Sequence, residues 1–142
     1  MRMLIVEDDA DGREILVELF RRHDWRVVAV ATTDAALTEL RNRRFDLVIS
    51  DENLAGASGS EMLRTACGEG LLSKVTALMY TSEAAWLEVP RGVRVLHKPL
   101  TIGSLVDEVT RAVEAAALEA VPSSRSPTSK ASARAQPAPT PD

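Results

Sequence analysis

Short apolar runs alternate along this chain with longer stretches in which apolar residues recur every three or four positions. The runs are Met3–Val6, Val27–Val30, Leu47–Ile49, Val75–Met79 and Val93–Leu96, each short enough for a buried strand and bounded by polar or turn-forming residues. Between them, Ile15, Leu16, Leu19 and Phe20 share one face of a first helix, and Ala36, Leu37 and Leu40 one face of a second. Ser58-Gly-Ser-Glu61 has the spacing of a capping box, so a third helix is expected to start there and turn Met62, Leu63 and Ala66 toward the sheet. A last helix begins near Thr101, carries Leu105, Val106, Val109 and Val113 on one stripe, and ends before Pro122. Strands alternating with helices predict an α/β fold of βα units around a five-stranded parallel sheet. The fourth connection is the exception. Only 16 residues separate Thr81 from Lys98, Pro90 and Gly92 among them, so the fourth helix, around Ser82 to Leu87, is expected to be short.

Composition bounds this picture. A chain of 142 residues with 45 % hydrophobic content fits one domain with a buried core. From Pro122 onward there are five prolines and five serines and no Val, Ile, Leu, Met or aromatic residue. Such a stretch cannot offset its ordering entropy by burial. Residues 1–120 are therefore expected to form the folded domain and 121–142 a disordered tail. The formal net charge is −4, and it becomes −6 once the +2 of that tail is set aside. That balance argues against direct binding of nucleic acid, which requires a basic face. Cys67 stands alone, which excludes an intrachain disulfide and a CxxC pair. The apolar run at the N-terminus is cut off by Glu7-Asp8-Asp9, too soon for a signal-peptide core, and no stretch approaches the roughly 20 apolar residues that span a bilayer. A cytoplasmic protein with no membrane partner is expected.

In a parallel α/β sheet the loops after the strand C-termini converge on one edge, where ligands bind. Here that edge receives Glu7, Asp8 and Asp9 after the first strand, Asp51 and Asn53 after the third, Thr81 and Ser82 after the fourth, and Lys98-Pro99 after the fifth. Crowded carboxylates are stable together in charged form only with a cation among them. Oxygen donors with room for water suit Mg²⁺. Lys98 and the Thr81 hydroxyl would add two contacts to a tetrahedral anion, with Asp51 as nucleophile.

With those residues in place, the chain resembles the receiver domain of two-component response regulators over residues 1 to 120. The matching segments are Leu4-Ile-Val-Glu-Asp-Asp9, Val48-Ile-Ser-Asp51-Glu-Asn-Leu54 with Gly59 following, Leu78-Met-Tyr-Thr81-Ser, and Lys98-Pro99-Leu100. The resemblance implies a doubly wound, flavodoxin-like sheet of order 2-1-3-4-5. It implies that Asp51 accepts a phosphoryl group from a sensor histidine kinase or phosphotransfer protein. Mg²⁺ would be held by Asp8, Asp51 and the backbone carbonyl of Asn53, with Glu7 acting through water. Thr81 and Lys98 would contact the phosphoryl oxygens, and the Lys98-Pro99 bond would be cis. Such a domain assists its own phosphorylation but turns over no external substrate. With no output domain after residue 120, it would act by binding partners or by passing phosphate onward.

The chain departs from the family at two places. Ala55 stands where proline is common, four residues after the phosphoacceptor, which predicts a less restrained loop. Val95 stands where many receivers carry a Tyr or Phe that turns inward as the threonine hydroxyl moves. The protein would then signal through another face, use Tyr80 or Trp86 in a rearranged switch, or not switch.

Other readings stay open beside this one. Glu7-Asp8-Asp9 alone would be a solvated turn, and Asp9 suits a cap of the first helix. Thr81 or Ser82 could cap the fourth helix, and the Asn53 side chain could close an Asx turn. Arg41, Arg43 and Arg44 complement the end of the second helix. His23 and His97 lack ligand partners, and Trp25, Trp86 and Cys67 read as packing residues. A phosphorylation-independent interaction scaffold is the main functional alternative. A phosphohydrolase using Asp51 is disfavoured because Asn53 stands where its acid-base Asp would be. A flavin carrier is disfavoured because the first loop is acidic.

Overall fold

The run Met3-Leu4-Ile5-Val6 has no polar alternation because it is covered on both sides. All four residues are buried in strand β1, Arg2–Val6, as expected for the centre of a parallel sheet with helices on each face. The computed structural model describes residues 1–82 and 88–120. In chain order, β1 is followed by α1 (Ala10–Arg21), β2 (Arg26–Val30), α2 (Thr33–Asn42) and β3 (Leu47–Ser50). A small antiparallel hairpin then pairs Asn53–Leu54 with Ala57–Ser58 and leads into α3 (Gly59–Gly68). β4 (Thr76–Thr81), β5 (Arg94–His97) and α4 (Ile102–Ala120) complete the described elements. The five longer strands form one parallel sheet in the order β2-β1-β3-β4-β5. That is the doubly wound order expected.

Alternate strand residues serve different layers. Leu4, Val6, Val48, Ala77 and Met79 join Ala36 and Leu40 of α2 and Met62, Leu63 and Ala66 of α3 in one apolar cluster. Met3, Ile5, Leu47, Ile49 and Leu78 have the other parity and are equally buried. α1 lies against β1 and β2 and buries Leu19 and Phe20. Its stripe is narrower than the sequence suggests: Ile15, at the edge of the apolar arc, is 59 % exposed. Removing Phe20 to Ala would cost about 3–5 kcal/mol, the usual penalty for a fully buried aromatic.

The helix starts follow the predicted signals. Asp9 caps α1, its side chain accepting the Gly12 N–H at 2.7 Å. Ser58 caps α3 through the Glu61 N–H at 3.1 Å. Thr101 accepts the Ser104 N–H at 3.0 Å before α4. Arg41, in the last turn of α2, is paired through Nε and Nη2 with the two carboxylate oxygens of Glu69, and Arg43 with Glu39. Contacts divide the chain into Met1–Asp107 and Glu108–Asp142, and the boundary runs inside α4. In the first unit Leu105 is buried, and in the second Val109 and Ala112 are buried. The expected short fourth helix at Ser82 to Leu87, with Trp86, and the expected tail at 121–142 fall mainly or wholly outside the described residues. No helix among the described residues is long and apolar enough to cross a membrane.

Candidate functional site

The register of the sheet brings the first and third loops side by side. Val6 pairs with Ser50, and the Asp51 N–H donates to the Val6 carbonyl at 3.1 Å, so Glu7 and Asp51 leave the sheet as neighbours. Lys98 leaves β5 two strands away. Its backbone N–H donates to the Thr81 carbonyl at 2.8 Å, which ties the fifth loop to the end of β4. The side chain then crosses to the acids, with Nζ 3.0 Å from Asp51 Oδ2 and 3.5 Å from Glu7 Oε1. The Lys98-Pro99 peptide is cis, as expected.

Asp51 is held from two sides. Its Oδ1 accepts the Glu52 N–H at 2.7 Å and the Asn53 N–H at 3.4 Å, while Oδ2 faces the Lys98 ammonium. Glu7 is buried, and burial pushes its carboxyl above the ordinary glutamate range despite the opposing pull of Lys98 and of the Asp9 N–H. The neighbouring Asp51 charge adds to the rise. For Lys98, burial acts to lower the ammonium, but the hydrogen bond and charge of Asp51 and the charge of Glu7 outweigh it and hold it above its ordinary value. The site is therefore a coupled pair of carboxylates bridged by one cation.

The remaining expected residues take different places on the rim. Asp8, one residue past Glu7, is exposed, and Asn53 is exposed in the hairpin. Thr81 is fully buried at the end of β4. Among the described residues, no three carboxylate, imidazole or thiolate groups gather closely enough to hold a metal ion on their own. Mg²⁺ needs only one or two carboxylates and otherwise keeps water. The oxygen donors of Glu7, Asp8 and Asp51, with a backbone carbonyl beside them, are of the class it accepts.

Four residues beyond the expected site, Arg13, Glu52, Gly59 and Tyr80, shape this edge. Arg13, one turn into α1, donates to the Glu7 carbonyl at 2.8 Å and the Asp8 carbonyl at 3.5 Å, pinning the acidic loop. Glu52 receives the Ser60 N–H at 2.8 Å and its hydroxyl at 3.0 Å. The loop after β3 is thus more restrained than Ala55 suggested. A hairpin turning on Gly56, at φ +71°, closes it, and a carboxylate spans it. Gly59 is required by close approach, since a Cβ there would collide with the Asp51 carbonyl oxygen and lie 2.8 Å from Ser50 Oγ. Tyr80 places its ring under Lys98, Nζ standing 5.2 Å from the centroid. Of these, Gly59 has a local signal, a glycine at the start of a predicted helix, whereas the sequence suggests Tyr80 only as part of a rearranged switch, not as a partner of Lys98.

Comparison with known proteins agrees with this fold. The model of the response regulator receiver domain matches residues 3–110. Over 133 residues the chain is 32 % identical to the virulence sensor protein BvgS of Bordetella pertussis, which covers 87 % of this chain and 11 % of BvgS. Over 85 residues it is 33 % identical to the chemotaxis protein CheY of Pseudomonas aeruginosa, covering 59 % of this chain and 68 % of CheY. The crystal structure of the receiver domain from the hybrid histidine kinase CckA aligns with a TM-score of 0.69 at 27 % identity, over 80 % of this chain and 99 % of that one. The chain thus spans only a small part of some relatives and most of others. With its sheet order, its paired acids and its lysine in place, this chain belongs to the response regulator receiver domain family of two-component systems.

Proposed function

We propose that the protein accepts a phosphoryl group on Asp51 from the phosphohistidine of a sensor histidine kinase or phosphotransfer protein, and signals by binding a partner. The observation that carries this is the Asp51–Lys98 ion pair at 3.0 Å, with Glu7 alongside, at the C-terminal edge of the sheet. A carboxylate oxygen of Asp51 forms the new P–O bond as the P–N bond to the donor imidazole breaks. Lys98 is within reach of Asp51 before transfer and meets the added negative charge afterwards, and Thr81 is assigned a contact to a phosphoryl oxygen. Receiver domains bind Mg²⁺ at the phosphorylation site. Here Asp8, Asp51 and the Asn53 carbonyl would hold it, with Glu7 acting through water. When bound, it neutralises charge on the transferring group. Arg13, which donates to the Glu7 and Asp8 carbonyls, holds the acidic loop in place.

Incubation with Mg²⁺ and acetyl phosphate or phosphoramidate, followed by intact-mass measurement, is expected to give one phosphoryl adduct that Asp51→Asn abolishes. Absence of an adduct with every donor would sink the proposal. Val95 favours one second reading. It packs against the apolar cluster beside Met79 and offers no ring to rotate, which suits a scaffold that binds its partner regardless of phosphorylation. In that case Asp51→Ala retains partner binding, whereas the phosphoacceptor reading expects binding to change.

A further inference from the structure

Tyr80 is the next-to-last residue of β4 and pairs in register with Leu96 of β5. Two residues beyond Leu96, Lys98 carries its ammonium back over the Tyr80 ring, with Nζ 5.2 Å from the centroid. That is inside the range of roughly 6 Å over which the negative face of an aromatic ring attracts a cation. At the far end of the same ring, the phenol oxygen accepts the Leu100 N–H at 3.3 Å. One side chain therefore touches both the head group of the lysine and the backbone two residues further along its loop.

Lys98 has reason to need this. Its side chain remains 29 % exposed, and a four-carbon stem has considerable rotamer freedom to lose. Ion pairs to Asp51 and Glu7 are centrally directed and do not by themselves choose a stem conformation. A ring face below the ammonium does, because its attraction falls away when the head group leaves the ring. Tyr80 is not a stand-in for an aromatic at position 95. Val95 pairs with Met79 and shares the cluster on the α2–α3 side, whereas Tyr80 pairs with Leu96 and has the parity of Leu78. The ring acts on the lysine, from the opposite face of the sheet.

We propose that Tyr80 is a positioning residue for Lys98, its ring seating the ammonium and its hydroxyl tying down the loop so that Nζ is presented to Asp51 and Glu7. The kinetic consequence rests on the phosphoacceptor reading, but the geometry does not. The chain has three lysines, Lys74, Lys98 and Lys130, so their side-chain resonances are readily assigned. In the full chain the Lys98 Cε protons are expected upfield of the other two because they feel the ring current. Tyr80→Phe should keep that displacement and Tyr80→Leu should remove it. Acetyl phosphate uptake should fall roughly two- to five-fold in Tyr80→Leu, the factor that a partly exposed cation–ring contact supports, and less in Tyr80→Phe. In a Lys98→Met background, Tyr80→Leu should cause no further loss. A wild-type Lys98 resonance coinciding with Lys74 and Lys130 would overturn the proposal whether or not any variant folds. So would an equal loss from Tyr80→Leu with and without Lys98. If the wild-type chain takes up no phosphoryl group, the phosphoacceptor reading fails while the resonance still decides the role of Tyr80.

Discussion

The loops after β1 and β3 carry acids to the same edge, yet they are built in different ways. After β1 the chain enters α1 almost at once. Asp9 caps the helix and Arg13 reaches back to two loop carbonyls, so these ties to α1 span six residues or fewer. After β3 the chain takes a detour through the hairpin at Asn53–Ser58 before α3 begins, and Glu52 spans eight residues to Ser60. In each loop one acid is committed to a helix start, Asp9 in the first and Glu52 in the second. Another in each is left facing Lys98, Glu7 and Asp51 respectively. In both loops the N–H of the structural acid donates to the chemical acid, from Asp9 to Glu7 at 3.3 Å and from Glu52 to Asp51 at 2.7 Å. The difference is that Asp8 separates the first pair, whereas Glu52 is bonded directly to Asp51.

That contrast can be broken at several points. The largest effect is expected from Gly59→Val, which forces the start of α3 away from the Asp51 carbonyl. A backbone clash has no side-chain rotation to relieve it, so a loss of about 3 kcal/mol in denaturant unfolding is expected, with loss of phosphoryl uptake. Next is Glu52→Ala, which removes two charge-assisted hydrogen bonds. A cost of about 1.5–3 kcal/mol should come with a fall in uptake rate on the order of ten-fold, because Asp51 loses its orientation. Asp9→Ala should cost only about 1 kcal/mol, the usual value of a helix cap, and leave uptake near the wild-type rate. Equal kinetic losses in Glu52→Ala and Asp9→Ala would erase the distinction between the loops.

The smallest effects concern pH, measured with chelator present. The folded-state carboxyl of Glu7 is raised above 4.5, so the folded chain binds the proton more tightly than the unfolded one. Stability should then decline as pH rises from the unfolded value through the folded one, and Glu7→Gln should flatten that decline. Lys98, also raised, contributes stability present below pH 10.5 that is lost as pH climbs through its folded value. Lys98→Met should remove this alkaline limb.

Much of this was legible in the residues because it depends on local pattern. Five apolar runs gave five strands, and Asp9, Ser58 and Thr101 cap where capping chemistry places them. Glu7, Asp51 and Lys98 meet because strand order alone brings their loops together. What escaped depends on distances across the fold. Glu52 was one more acid until α3 came to rest on it. Arg13 carries no local signal for its reach to the loop carbonyls, and Tyr80 became a partner of Lys98 only through the register of β4 and β5. Ala55 misled because proline is one way to stiffen a loop, and a hairpin with a left-handed glycine is another. Ile15 misled because an apolar residue at the edge of a helical stripe can face water.

The amide of Asp51 donates to Val6 on β1, a strand buried on both faces. Its exchange with solvent deuterium should therefore follow the slowest, global opening of the domain. The amides of Ala55 and Gly56, in the exposed hairpin turn, should exchange through local openings that leave the sheet intact. The carboxylate at the centre of the site is thus anchored to a buried strand, beside an exposed hairpin turn. The Glu52 and Asn53 amides, which lead into that hairpin, are the link between the two, since both donate to Asp51 Oδ1.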